Sequence, residues 1–202
     1  MKSTRIFCMA LALILVFATV SFAGAVRDKL TDEEFERAKK GEIILKNEID
    51  DKTKSGAGIG IGYFSGDIDK FWKLVYDYPN YQNVFPRMIY AKKVGGTPER
   101  FLTELKMDAT LTKLVYTTYN VPSPNGMELN FGIEKSKPHK YFKDMTGYWK
   151  LEKVDGGGFL AEYKVAVSLD LPLGMGKLVT PVVNAMAGKD LPDLFNALRK
   201  NM

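Results

Sequence analysis

Alternation of apolar and polar residues dominates the second half of the chain. Six segments after Pro86 alternate with a period of two residues, which is the repeat of a strand with one buried face. Stretches rich in Gly and Pro, such as Asp155–Gly158, separate these segments and have the composition of tight turns. Consecutive strands joined by short turns pair antiparallel. The pattern therefore predicts an antiparallel meander of Met88–Val94, Arg100–Ala109, Lys113–Val121, Met127–Glu134, Phe142–Val154 and Phe159–Asp170.

The same alternation predicts which face of the sheet is buried. In Phe159–Asp170, for example, Tyr163 and Val165 share one face, whereas Glu162 lies on the other. A dry face opposite a wet face is typical of a sheet that is covered on one side only. The cover must come from helices elsewhere in the chain.

Helical periodicity before and after the meander supplies that cover. Asp67 is placed as the N-cap of a helix over Ile68–Asp77, and a second short helix over Tyr81–Phe85 follows. A longer apolar stripe runs from Met175 to about Lys200. We therefore predict an α+β fold in which a curved antiparallel sheet of about seven strands wraps round a long C-terminal helix. Two prolines are expected to kink or interrupt that helix, Pro181 and Pro192.

Glycine alternates with larger residues between Ser55 and Phe64. A phosphate-binding loop is also rich in glycine, but it follows a strand and opens directly into a helix. Here the glycines recur with a period of two, which predicts a strand with one face free of side chains. A neighbouring element can approach the backbone closely on such a face.

The first two dozen residues have the pattern of an export signal. Basic residues precede an uncharged apolar run from Ile6 to Val20, and small residues follow it. Cleavage after Ala23 or Ala25 is expected. The alternative is an uncleaved anchor, because the run approaches the roughly 20 residues that span a bilayer. The predicted organisation is a signal peptide over 1–23, an N-terminal lead over 24–54 and one domain over 55–202. The protein is thus expected to be exported, and periplasmic in a bacterium.

The lead itself contains two predicted elements. Thr31 and Glu34 have the spacing of a capping box, which predicts a helix from Asp32 to about Lys40. Glu42–Ile49 is a candidate strand.

Composition limits the chemistry of the mature chain. Loss of Lys2 and Arg5 with the signal lowers the formal charge from +5 to +3. The remaining lysines are scattered among acidic residues, so no nucleic-acid partner is expected, whereas transient contact with an anionic membrane surface is compatible with this charge. Cys8 is the only cysteine and His139 the only histidine. Neither a thiolate nor a multi-histidine metal site is therefore expected in the mature chain, and no cofactor is predicted.

Three segments resemble the START-like (SRPBCC) superfamily. Asp67–Pro86 is similar to the opening helices of the family, Gly147–Leu151 to its G-x-W-x-L strand, and Leu171-Pro172 with the closing Leu198-Arg199 to its ending. The resemblance covers about residues 55–200 and is greatest to the polyketide cyclase/dehydrase and coenzyme Q-binding branch. It implies a helix-grip fold with a deep apolar cavity between helix and sheet.

Aromatic and methionine side chains on the predicted inward faces are the candidates for the lining of that cavity. Methionine is flexible and adapts to ligands of varied shape. Plain core packing is the alternative for any single residue. Together the residues predict a binding or carrier protein for a hydrophobic small molecule such as a lipid or quinone. The predicted cavity residues are Met107, Phe131, Met145, Trp149, Tyr163, Met175, Val182 and Met186.

Two other functions stay open at this point. A cyclase/dehydrase-type enzyme needs a proton-transfer group near its ligand, for which Tyr116, Tyr119, Asp77 and His139 are candidates. None of them has a catalytic partner at a recognisable spacing, so no catalytic residue is assigned. A non-catalytic interaction module, whose cavity is filled by its own side chains, is the other alternative.

Overall fold

One eight-stranded antiparallel sheet organises the protein, which we describe from a computed structural model over residues 25–50, 52–109, 112–171, 181–183 and 190–202. The spatial order of the strands is β1-β2-β8-β7-β6-β5-β4-β3. This confirms the predicted α+β fold and its meander. The strands are β1 Ile44–Asp50, β2 Ser55–Phe64, β3 Met88–Gly96, β4 Phe101–Asp108, β5 Lys113–Pro122, β6 Glu128–Ile133, β7 Phe142–Lys153 and β8 Phe159–Leu169.

The sheet has eight strands, where about seven were predicted, because β1 belongs to it. This strand comes from the segment predicted as a lead, and it pairs antiparallel with β2 from Ile44 opposite Ile61 to Asp50 opposite Ser55. The chain therefore enters the sheet before the glycine-rich strand.

The helices begin where the sequence places their caps. The Thr31 side chain accepts a hydrogen bond from the Glu34 amide, and the Glu34 side chain accepts one from the Thr31 amide, so the capping box is formed. The Asp67 carboxylate accepts a hydrogen bond from the Asp69 amide at 2.9 Å. The helices are α1 Asp32–Lys39, α2 Ile68–Tyr76, α3 Tyr81–Val84 and α4 Leu191–Asn201, with short 3-10 helices at Arg27–Lys29 and Tyr78–Asn80.

The long C-terminal helix predicted from Met175 to about Lys200 is described only in part. Residues 181–183 are helical, and α4 begins at Leu191. Pro192 lies in the first turn of α4, where the missing amide hydrogen would have no partner within the helix. It therefore starts this helix instead of kinking it.

Helix α4 packs on the face of β2 that carries no side chains. A Cβ atom placed on Gly62 would lie 2.7 Å from Cδ1 of Phe195, and one on Gly60 would lie 3.0 Å from its Cε2. Phe195 is fully buried against this surface. The close approach predicted from the glycine alternation is confirmed.

The prediction of a wet outer face is wrong around Glu162. This side chain is fully buried, because the lead covers it: Lys29 Nζ lies 2.7 and 2.8 Å from its two carboxylate oxygens. The Tyr148 hydroxyl donates a third hydrogen bond at 2.6 Å. A buried carboxylate is stable only with such partners. Residues of the lead and of the sheet also form a second apolar cluster, separate from the main core, which contains Val26, Leu30, Ala38, Ile44, Ile61 and Leu160.

Candidate ligand cavity

A cavity of about 120 Å³ lies between the inner face of the sheet and the helices. Its floor comes from the inward positions of β4 to β8 and from Met88 at the start of β3. Its walls come from the end of α2, from the 3-10 helix that follows it, from α3 and from the first turn of α4. Most of the lining is apolar and includes Val75, Leu105, Leu129, Leu191 and Leu194. The cavity therefore occupies the position expected between a helix and the sheet that wraps round it.

The structure brings five of the eight predicted cavity residues together. They are Met107, Phe131, Met145, Trp149 and Tyr163, and all of them line the cavity. Val182 is fully buried in the main core, and it is not among the lining residues in the described part of the chain. Met175 and Met186 lie outside the described residues.

The polar end of the cavity lies where β4 and β5 pair, and its threonine and asparagine residues were not predicted from the sequence as lining residues. Thr103 on β4 and Thr118 and Asn120 on β5 are buried and line it. The side-chain Nδ2 of Asn120 donates to Thr103 Oγ1 at 3.1 Å and to Thr118 Oγ1 at 3.2 Å. The sequence contained a signal for Thr103, because the alternation of the strand places it on the same face of β4 as Met107.

Tyrosine hydroxyls complete the polar lining. The Tyr81 hydroxyl donates to the Val75 carbonyl, which cannot receive the usual helical hydrogen bond because Pro79 has no amide hydrogen. The Tyr116 hydroxyl donates to the sulphur of Met107 at 3.5 Å. The Tyr78 hydroxyl is buried and has no hydrogen-bond partner among the described residues.

Burial keeps these tyrosines neutral. It raises the pKa of Tyr78, Tyr81, Tyr116 and Tyr163 above the ordinary value, because the charged phenolate loses its hydration. At Tyr78 the nearby Thr103 and Tyr81 side chains oppose this effect without cancelling it. At neutral pH the four hydroxyls are therefore hydrogen-bond donors and not bases.

An ion pair marks the place where the cavity reaches the surface. Arg87 Nε lies 2.6 Å from Oδ2 of Asp190, the N-cap of α4, and Asp190 lines the cavity. The neighbouring lining residues Phe85 and Pro86 are half-buried. Arg87 has a left-handed backbone with φ of 61°, which is uncommon for a residue other than glycine. The pair joins the segment before β3 to the start of α4.

The fold is shared with proteins of known structure. The chain is similar to the Zhui aromatase/cyclase from a Streptomyces species, with a TM-score of 0.60 and 11% identity over 78% of this chain and 94% of that one. It is also similar to a STAR-related lipid transfer protein from Xanthomonas axonopodis, with a TM-score of 0.57 and 16% identity over 79% of this chain and 93% of that one. A START superfamily protein from Mycobacterium smegmatis has a TM-score of 0.51 and 14% identity over 79% of this chain and 96% of its own. This chain has the START-like fold. No protein-family model and no curated protein matches it.

The START-like fold does not bring the candidate proton-transfer residues together. Tyr116 lines the cavity. The Arg100 guanidinium carbon lies over the Tyr119 ring, 5.1 Å from the ring centroid. Asp77 is the C-cap of α2 and is exposed. His139 lies in the turn before β7, with Nδ1 2.7 Å from the Lys137 carbonyl oxygen. These four side chains therefore do not form one site.

No group of three or more His, Cys, Asp or Glu side chains is placed to hold a metal ion in the described part of the chain. None of the helices described is both long and apolar enough to span a bilayer.

Proposed function

We propose that this protein is an exported binding or carrier protein that holds a hydrophobic small molecule, such as a lipid or quinone, in the cavity. The observation that carries the proposal is a mainly apolar cavity between sheet and helix, with a small group of buried polar side chains on the neighbouring strands β4 and β5. This is the usual character of a small-molecule site. Proteins of the same fold include one named for lipid transfer and one named as an aromatase/cyclase.

The size of the cavity limits what fits without rearrangement. Its volume of about 120 Å³ is close to that of an engineered apolar cavity of about 150 Å³ that binds benzene. Pockets for larger ligands measure about 300–1,000 Å³. A ring-sized group therefore fits as the cavity stands, and a longer molecule must displace lining side chains. Met107 and Met145 are suited to such movement, because an unbranched thioether has several accessible rotamers.

Electrostatics does not favour base catalysis in this cavity. The four tyrosines that line the cavity are neutral at physiological pH, for the reason given above. Asp190, the carboxylate on the lining, is paired with Arg87 and lies at the surface end of the cavity. A general base must reach the proton that it abstracts and must be unprotonated. Neither the tyrosines nor the paired Asp190 meets both requirements.

Export is part of the proposal and rests on the N-terminal sequence pattern. Of the two cleavage sites, the one after Ala23 is favoured, because cleavage after Ala25 would place a charged ammonium group on Val26, a fully buried residue. A passive carrier suits a compartment without a supply of ATP or reduced nicotinamide. The mild positive charge left after cleavage supports transient contact with an anionic membrane surface.

Calorimetric titration with naphthalene, a neutral two-ring probe close in size to the cavity, tests the proposed function directly. The variant Met88→Trp adds bulk to a half-buried residue on the lining, whereas Val94→Trp adds the same bulk at an exposed position of the same strand. We expect saturable probe binding to the wild type and to Val94→Trp, and at least tenfold weaker binding to Met88→Trp, since about 1.4 kcal/mol corresponds to a factor of ten. Equal binding to the two variants, or no saturable binding to the wild type, contradicts the proposal.

A further inference from the structure

The polar end of the cavity has a composition that selects a ligand. We propose that Tyr78, Thr103, Thr118 and Asn120 recognise an uncharged oxygen acceptor, such as a ketone, quinone or ester carbonyl, on an otherwise hydrophobic ligand. This inference rests on the proposed binding function and specifies the class of molecule bound. None of the four residues was among the cavity residues predicted from the sequence.

The four side chains are buried where a purely apolar cavity would carry aliphatic residues. Their exposed fractions are 6% for Tyr78, 1% for Thr103 and 5% for both Thr118 and Asn120. Burying a polar group is unfavourable unless it is hydrogen-bonded. Asn120 donates to both threonine hydroxyls and so holds the two strands' polar groups in a fixed arrangement. A recognition site needs such preorganisation.

Tyr78 supplies the donor that the network leaves unused. Its ring packs against Tyr81, with the ring centroids 4.9 Å apart. No acceptor among the described residues, the Tyr81 hydroxyl included, lies in hydrogen-bonding geometry with the Tyr78 hydroxyl. A buried donor without a well-placed acceptor carries a desolvation penalty, which the nearby Thr103 side chain eases but does not remove. An acceptor oxygen on the ligand would remove that penalty, whereas a hydrocarbon of the same shape would not.

The charges around the cavity point to a neutral ligand. No Lys or Arg is among the lining residues in the described part of the chain. A carboxylate or phosphate at the polar end would therefore be buried without a counter-charge, which is strongly unfavourable. For an ammonium group, the carboxylate among the lining residues in the described part of the chain is Asp190, which is already paired with Arg87. The polar group of the ligand that suits these surroundings is therefore an uncharged oxygen acceptor.

A series of ring-sized probes that differ only in their polar group tests this inference. Indane, 1-indanone and indane-1-carboxylate are titrated into the folded protein by isothermal calorimetry. We expect 1-indanone to bind about 2- to 10-fold more tightly than indane, as for one added neutral hydrogen bond, and the carboxylate to bind more weakly than either. In Tyr78→Phe the preference for 1-indanone disappears, while the affinity for indane is unchanged. Tyr90→Phe removes a hydroxyl that donates to Glu104 away from the cavity, and keeps the preference.

The possible results separate this inference from the binding function on which it rests. Binding of indane and 1-indanone with equal affinity overturns the inference but leaves the carrier function intact. The same holds if the carboxylate binds best, or if Tyr78→Phe keeps the full preference for the ketone while its melting curve shows a folded protein. If none of the three compounds binds, the proposed function fails, and this inference fails with it.

Discussion

Two adjacent tyrosines should respond in opposite directions to the same change. Tyr78 and Tyr81 are both buried, and each loses one hydroxyl in a Tyr→Phe substitution. Removal of the Tyr78 hydroxyl eliminates a buried donor without a partner. Removal of the Tyr81 hydroxyl instead leaves the Val75 carbonyl without its donor, next to a proline that cannot replace it.

The magnitudes follow from the cost of an unpaired buried group. That cost is about 1–3 kcal/mol, so Tyr81→Phe should lower the free energy of unfolding by about this amount. Thr103 lies near Tyr78 and eases its burial, so we take the lower end of the range and expect Tyr78→Phe to raise the free energy of unfolding by about 1 kcal/mol. For a chain of this size that corresponds to a melting temperature higher by about 2–4 °C.

Urea unfolding measures both effects with an intrinsic probe. Trp72 and Trp149 are buried in the main core, so their fluorescence changes when the core opens. Tyr90→Phe, at a hydroxyl in contact with Glu104 near the surface, is the control and should shift stability by less than about 0.5 kcal/mol. A loss of stability in Tyr78→Phe as large as that in Tyr81→Phe would refute the assignment of an unpaired hydroxyl.

Two further predictions concern how the outer and inner faces of the sheet are covered. Lys29→Met leaves the buried Glu162 carboxylate without its cation and should lower the free energy of unfolding by about 3 kcal/mol, whereas Lys39→Met, which breaks an exposed pair, should cost less than about 1 kcal/mol. Equal losses in the two variants would contradict a structural role for the lead. Gly62→Ala places a methyl group 2.7 Å from Phe195 and should lower the free energy of unfolding by about 1–3 kcal/mol in the same urea assay. An unchanged free energy of unfolding would mean that α4 does not pack on β2.

Much of the fold could be predicted because its signals are local. Period-two alternation located the strands of the meander, and the cap residues Thr31 and Asp67 located the starts of two helices. The burial of Glu162 could not be predicted in this way. Alternation assigns a charged residue to the wet face, and only the docking of Lys29, more than a hundred residues earlier in the chain, reverses that assignment.

The candidate site was predictable in its apolar part and not in its polar part. Met107 and Met145 were placed inward by the alternation of their strands, and both line the cavity. Thr103 lies on the same face as Met107, but its hydroxyl is compatible with either face until a partner is known. That partner is Asn120 on the neighbouring strand, and the pairing depends on the register between β4 and β5, which a single sequence does not contain.

The central claim is that the cavity holds a hydrophobic molecule in the working protein. The measurement that tests it most directly is organic-solvent extraction of the protein purified from its native host, followed by mass spectrometry, with Met88→Trp purified in parallel. We expect a recurring uncharged, carbonyl-containing compound in stoichiometric amount from the wild type and a marked loss of it from the variant. A wild-type protein that is repeatedly empty, or a compound retained equally by Met88→Trp, would show that the cavity does not hold such a molecule.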